Sequence, residues 1–336
     1  MPTLGADILM SRIEDAFAES GAYALLLSSP HQRHPRSFIV QFNNQSTEIW
    51  IYIWTLTHGG GRMRPVDEYR IQLTGVASPL QLNPNGPTLL LGYEVDRNCF
   101  AGFDIQKHLT FTGRSPSIQI RIGVLDEAAR NGIAFSERKG NNEIAVAFRP
   151  DYFMVYALNA LLLHEQAVDA ATIHLLERIA NHESVAAVDL DLVAPERQRV
   201  VSTVARLTRA ADFRRRILQA YSATCAVTGL QLRLVDAAHI LPVGADGSSD
   251  MTANGLCLSP TFHRAFDSAL IYLDETSYTM HLNTRRVEEL RGEGLDGGVE
   301  QLAAHLGRRI LLPQDMHNWP NQEMIRRANA HRQISP

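Results

Sequence analysis

Cysteine is scarce. The three residues, Cys99, Cys225 and Cys257, are odd in number and scattered, which excludes a disulfide framework and points to a reducing compartment, the cytoplasm. No apolar run approaches the roughly 20 residues that a membrane span requires, so no membrane role is expected. The opening stretch, residues 1–20, carries acidic residues and no cleavable hydrophobic block, so no signal peptide is expected. An excess of one charge is also lacking. The 32 Lys and Arg stand against 36 Asp and Glu, for a formal net charge of −4. A nucleic-acid partner would therefore be held by a local basic patch rather than by overall charge. No internal repeat or low-complexity tract is present.

At 336 residues, the length suggests two domains with ample material for a core in each. The fold class expected is α+β. Residues 1–157 read as a mainly antiparallel β domain with helices. Ile8, Leu9, Ile13 and Phe17 recur at helical spacing before Gly21. Phe38–Phe42 and Glu48–Leu56 then form a hairpin rich in aromatic and β-branched residues. Asp67–Leu73, Thr88–Tyr93, Cys99–Asp104, Ser117–Ile122 and Glu143–Phe148 follow as strands, with a short helix over Asp126–Asn131. Between them lies Gly59-Gly60-Gly61-Arg62-Met63-Arg64. Its glycines permit close backbone approach, and Arg62 and Arg64 are candidate phosphate contacts. The loop lacks the Gly-Lys-Ser/Thr of a P-loop. Neither Glu94 nor Asp104 is followed by the x-Lys step of a PD-(D/E)xK centre. Residues 158–211 read as a helical linker, and the helix that closes it is dense in arginine: Arg206 and Arg209, then Arg214, Arg215 and Arg216. Such clusters contact phosphates and supply most non-specific affinity.

Residues 212–336 hold the most informative stretch. Val235–Ile240 reads as a strand presenting His239, and Pro242 stops it. Residues 244–250, rich in Gly, Asp and Ser, are loop chemistry. Asn254-Gly255 leads into Leu256-Cys257-Leu258, and Ser259-Pro260 is a helix start. His263 and Asp267 follow at i and i+4, on one helical face. Tyr278–Leu282 and Arg308–Leu312 read as further strands and Asn321–Arg332 as a terminal helix.

The order His239, Asn254, His263 with a carboxylate at Asp267 resembles the HNH, or ββα-metal, endonucleases, in the branch common in bacterial restriction and defence proteins. The resemblance covers about residues 212–285. It implies a C-terminal ββα-metal domain that hydrolyses phosphodiester bonds in double-stranded DNA, with residues 1–157 recognising the target, a sequence or a modified base. His239 takes the role of general base, suited to an imidazole near neutral pH. Asn254 pins the loop that aims it, and His263 and Asp267 take the metal positions. The cofactor implied is a divalent ion, Mg²⁺ or Mn²⁺, with Zn²⁺ and Ni²⁺ as further candidates. Two departures from the family pattern stand out. Ala238 occupies the position before the base where many relatives carry a metal ligand, and Asp236 is expected to share the face of Ala238 rather than that of His239. Of the two Cys-x-x-Cys pairs that clamp zinc in many relatives, Cys225 remains, while Thr228, Ser259 and Phe262 fill the other positions, so no structural zinc is expected. A homodimer follows if both strands are cut together. Two other functions fit the same pattern: an antiviral effector nuclease switched on by a small nucleotide signal, and a catalytically dead HNH DNA-binding protein.

Overall fold

The computed structural model describes residues 3–29, 32–58, 65–113, 116–137, 143–165, 170–181, 183, 185 and 187–334. Arg62 and Arg64 lie outside the described residues. The chain divides into two compact units, Met1–Ala211 and Asp212–Pro336.

The first unit is built on a seven-stranded sheet. Its strands run, in spatial order, Tyr23–Leu26, Arg36–Phe42, Gln45–Thr55, Thr88–Glu94, Cys99–Phe103, Val146–Phe148 and Ile133–Phe135. The hairpins expected from sequence are present, with Phe38 opposite Ile49 and Tyr93 opposite Phe100. One pairing is parallel, Gln45–Thr55 on Thr88–Glu94. Those two strands sit where helices and a second sheet cover both faces, which is why residues 49–54 and 89–91 are continuous apolar runs. Ile49, Ile51, Ile53, Leu89 and Leu91 enter the core beneath the helices Ala6–Glu19 and Phe153–His164. Tyr52, Trp54, Leu56 and Leu90 enter the opposite core, shared with the three-stranded sheet Thr57–His58, Glu68–Gln72 and Ser117–Arg121 and the helix Ile122–Asn131. At Leu56 the chain passes from one sheet to the other, its side chain fully buried. The helices expected as a linker add Leu175, Leu176, Ile179, Val201 and Val204 to the first core.

The second unit begins within the helix Pro195–Ala220, whose Phe213 and Ile217, with Tyr221 just after it, belong to the unit's core. The strands Asp236–His239 and Gly255–Leu258 form an antiparallel pair, followed by the helix Pro260–Asp267. A second pair, Ile271–Leu273 with Met280–Leu282, comes next, and the helix Gln322–His331 closes the unit. The strand expected over Arg308–Leu312 is reduced to a single bridge, Thr279 to Arg309. The Ile310 amide still donates to the Tyr278 carbonyl, but the Leu311 amide turns to the Ala226 carbonyl at 2.8 Å, so the run changes partner before a ladder can form.

Candidate active site

The site starts from a register. His239 is the last residue of its strand and lies opposite Gly255. The intervening loop is tied at its base by Asn254, which is fully buried. Its Oδ1 accepts from the Leu241 amide at 2.9 Å. Its Nδ2 donates to the carbonyls of Ser249 at 2.8 Å and Leu241 at 3.2 Å, and to Ser248 Oγ at 3.4 Å. One amide side chain thus joins the strand exit to the loop tip, which no apolar residue can do. Gly255 has a φ of −135°, extended backbone that any residue adopts. Its requirement is space, because a Cβ there would stand 2.2 Å from Ile217 Cδ1.

The His239 imidazole is held on two sides. Its ring stacks on Phe213 at 3.8 Å and 10°. Its Nε2 lies 3.0 Å from Asp250 Oδ1 at the end of the loop. Nothing in the family spacing marks Asp250; the only trace in the sequence is an acid four residues before Asn254.

His263 and Asp267 share a helical face as expected, with Nε2 and Oδ2 3.3 Å apart. A second carboxylate joins them. Asp236, expected to sit apart from the site, places Oδ2 3.7 Å from His263 Nδ1 and Oδ1 3.3 Å from Arg214 Nη1. The helix Pro260–Asp267 packs on the strand that carries Asp236, and that packing brings His263 within its reach. Burial works against ionisation of Asp236, but the contacts with His263 and Arg214 outweigh it and hold the carboxyl below the usual range. No three His, Cys, Asp or Glu side chains form a metal cage among the described residues. The His263–Asp267 pair nonetheless suits an ion: two neighbouring ligands with bonds near 2.1 Å stand about 3 Å apart.

This hairpin and helix coincide with a known family. A model described as HNH endonuclease matches residues 225–274. Residues 225–274 belong to the HNH endonuclease family. The chain is accordingly a nuclease, and DNA is what a nuclease of this kind acts on. A second model, described as Methylase-associated X1, matches residues 47–157. Among solved structures, one described as a modification-dependent TagI restriction endonuclease aligns at 13% identity over 83% of this chain and 80% of that one, with a TM-score of 0.27; a likeness so loose carries no weight. No curated protein matches.

In the HNH domain, the knuckle that begins at Cys225 is closed by ordinary hydrogen bonds. The Cys225 amide donates to the Leu230 carbonyl at 2.8 Å, and the Thr228 amide donates to Cys225 Sγ at 3.5 Å. Burial disfavours the thiolate, yet the hydrogen bonds from Thr228, Ser259 and Val227 hold this thiol below its ordinary range.

The arginines divide into two groups. Arg206 and Arg209 are exposed on their helix. Arg214, Arg215 and Arg216 are partly buried and engaged within the HNH domain. Arg214 reaches Asp236 and the Val235 carbonyl. Arg215 and Arg216 both pair with Asp212, and Arg216 also donates to the Asp250 carbonyl. Arg214 thus braces the Asp236 carboxylate and Arg216 the backbone of Asp250, while Arg215 is held on Asp212, roles that a count of arginines along a helix does not reveal. Arg332 behaves similarly: it lies 4.4 Å over the Phe266 ring and donates to the Ile240 carbonyl. Among the described residues, no helix is long and apolar enough to cross a membrane.

Proposed function

We propose that the protein is a restriction-type endonuclease, acting in the cytoplasm against foreign DNA, in which the HNH domain cuts and residues 1–157 select the target. The observation that carries this reading is His239, held between Phe213 and Asp250 at the end of a loop that Asn254 ties shut. With Nε2 on Asp250, Nδ1 is the nitrogen that removes a proton from water. The resulting hydroxide attacks the phosphorus, and the bond to the leaving oxygen breaks. Asp250 keeps the imidazole in the tautomer and orientation that this transfer needs. His263 and Asp267 would hold a divalent ion, which would neutralise charge on the phosphate and the departing oxygen. Two protein ligands would leave such an ion weakly held by the protein alone, so its binding would depend on DNA. The exposed Arg206 and Arg209 supply backbone contacts.

Support for the restriction reading comes from the pairing of an HNH domain with a region matching a family described as methylase-associated. Such an enzyme works beside a modifying activity and must tell one state of a base from another. Cutting both strands requires two centres or two events, and a homodimer supplies two. The test is incubation of the purified protein with plasmid DNA of defined methylation in Mg²⁺ or Mn²⁺, with sequencing of the ends. Cleavage that depends on methylation state is expected. Cleavage indifferent to sequence and modification would reject target selection, and absence of cleavage in every metal would reject the enzyme.

A further inference from the structure

The first unit contains a cavity of about 350 Å³ that the nuclease chemistry does not use. Its floor is apolar, with Leu9 and Ile53. One wall is a pair of flat rings: His34 stacks on Trp54 at 4.3 Å and 28°, with the buried Tyr52, outside the cavity lining, nearly parallel behind them. The indole is fixed in place by its Nε1, which donates to the Thr74 carbonyl at 3.1 Å. Arg33 and Arg36 line the same space, and no carboxylate does among the described residues. The helix Ala6–Glu19 opens onto it through Ala6, and its cap, Gly5, has no side chain to satisfy the first amides. The His34 Nδ1 atom is buried with no hydrogen-bond partner. Burial, reinforced by Arg36 and Arg33, pushes the His34 imidazole down to about 4, so it is neutral at pH 7.

Each feature selects the same ligand chemistry. An unpartnered ring nitrogen beside a stack of aromatic planes suits a heteroaromatic base with hydrogen-bonding edges. Two arginines, a helix N-terminus and no opposing acid suit a phosphate. The volume is in the range of small-ligand sites, roughly 300–1,000 Å³, and accommodates one nucleotide.

We infer that this cavity is a nucleotide-binding site, in which the base lies against the His34–Trp54 wall and the phosphate meets Arg33 and Arg36. The inference rests on the reading of residues 1–157 as the part that selects the target. The nucleotide can reach the cavity from two sources: flipped out of duplex DNA, or free in solution.

The experiment compares the full-length protein with Arg33→Ala in chelator, which prevents cleavage. Arg33 is exposed, so this variant leaves the core intact; Trp54→Ala serves as a second variant wherever it folds. One arm measures fluorescence anisotropy on short duplexes that carry a single mispaired or methylated base, against fully paired unmodified duplexes. The other measures calorimetric binding of free deoxynucleoside monophosphates and cyclic dinucleotides. Tighter binding to the altered duplexes, weakened about tenfold by Arg33→Ala, identifies a flipped base. Binding of free nucleotides with the same loss in Arg33→Ala, and no preference among duplexes, identifies a free ligand. Affinities in both arms that Arg33→Ala leaves unchanged, or no binding in either arm, overturn the inference. The two readings fail separately: methylation-dependent cleavage in a protein whose nucleotide and duplex binding Arg33→Ala leaves unchanged rejects the cavity alone, whereas a cavity that binds nucleotide in a protein that never cuts rejects the nuclease assignment alone.

Discussion

Replacing Asn254 with Ala removes four hydrogen bonds from a fully buried position. The Leu241 carbonyl keeps a partner, because Ser248 Oγ donates to it at 2.9 Å. The Leu241 amide and the Ser249 carbonyl lose the bonds they make with Asn254. A buried polar group left unpaired costs about 1–3 kcal/mol, so with two such groups the closed loop loses roughly 2–6 kcal/mol. The loop escapes this penalty by opening to water, which carries Asp250 away from His239. Because each 1.4 kcal/mol is about tenfold in an equilibrium, even the lower figure lowers the closed-to-open ratio about thirtyfold. Cleavage by Asn254→Ala should therefore fall by at least tenfold while DNA affinity stays near wild type, as read by plasmid cleavage and anisotropy side by side. Asn254→Asp retains the acceptor for Leu241 and loses the donor to Ser249, so it should be impaired as well. An Asn254→Ala enzyme within about threefold of wild-type rate, with an unchanged urea midpoint, would refute the reasoning, because the loop would then be held by something else.

Asp267→Ala should raise the metal concentration needed for half-maximal cleavage more than it lowers the rate at saturating metal, since His263 would remain as a ligand and DNA would help to hold the ion; a metal titration of cleavage checks this, and an unmoved midpoint contradicts it. Arg206→Ala with Arg209→Ala should weaken binding to all DNA alike and flatten the salt dependence by about 0.9 in the log–log slope for each phosphate no longer neutralised. Arg214→Ala should instead impair cleavage through Asp236 with little change in that slope. His34 gives a pH signature. Unfolded, an imidazole binds a proton below about 6.5, whereas folded His34 does so only below about 4. Between those values the unfolded chain binds more protons, so stability falls as pH drops from about 6.5 to 4, by on the order of 3 kcal/mol. Denaturation midpoints across that window should show a decline that His34→Gln removes.

The catalytic half of the fold was legible because its chemistry imposes spacing. A base at a strand end, an amide that spans the loop and two donors one helical turn apart leave a pattern that survives in one dimension. The strands of the first unit were legible from their apolar runs, with hairpins marked by Asn43-Asn44 and by the turn ending at Asn98, all three at positive φ. The parallel pairing of Gln45–Thr55 with Thr88–Glu94 was not, because the paired stretches bury apolar residues on both faces and a continuous run carries no sign of its neighbour's direction. Three features of the site were hidden for a different reason. Asp250, Asp236 and the bracing role of Arg214 depend on where a turn-rich loop and a helix face come to rest, and neither leaves a periodic trace. The stack of His34 on Trp54 was equally hidden: aromatic strand residues read first as core, and Trp54 is indeed buried.

The central claim is that His239 is the general base of an HNH centre. The measurement that tests it most directly is single-turnover cleavage of a susceptible plasmid by His239→Ala, with DNA affinity and folding measured on the same preparation. Loss of a general base typically costs 10²- to 10⁴-fold, so a rate at least about a hundredfold below wild type, with near-normal affinity and an intact fold, is predicted. A His239→Ala enzyme that folds, binds and cuts within about tenfold of wild type would contradict the account.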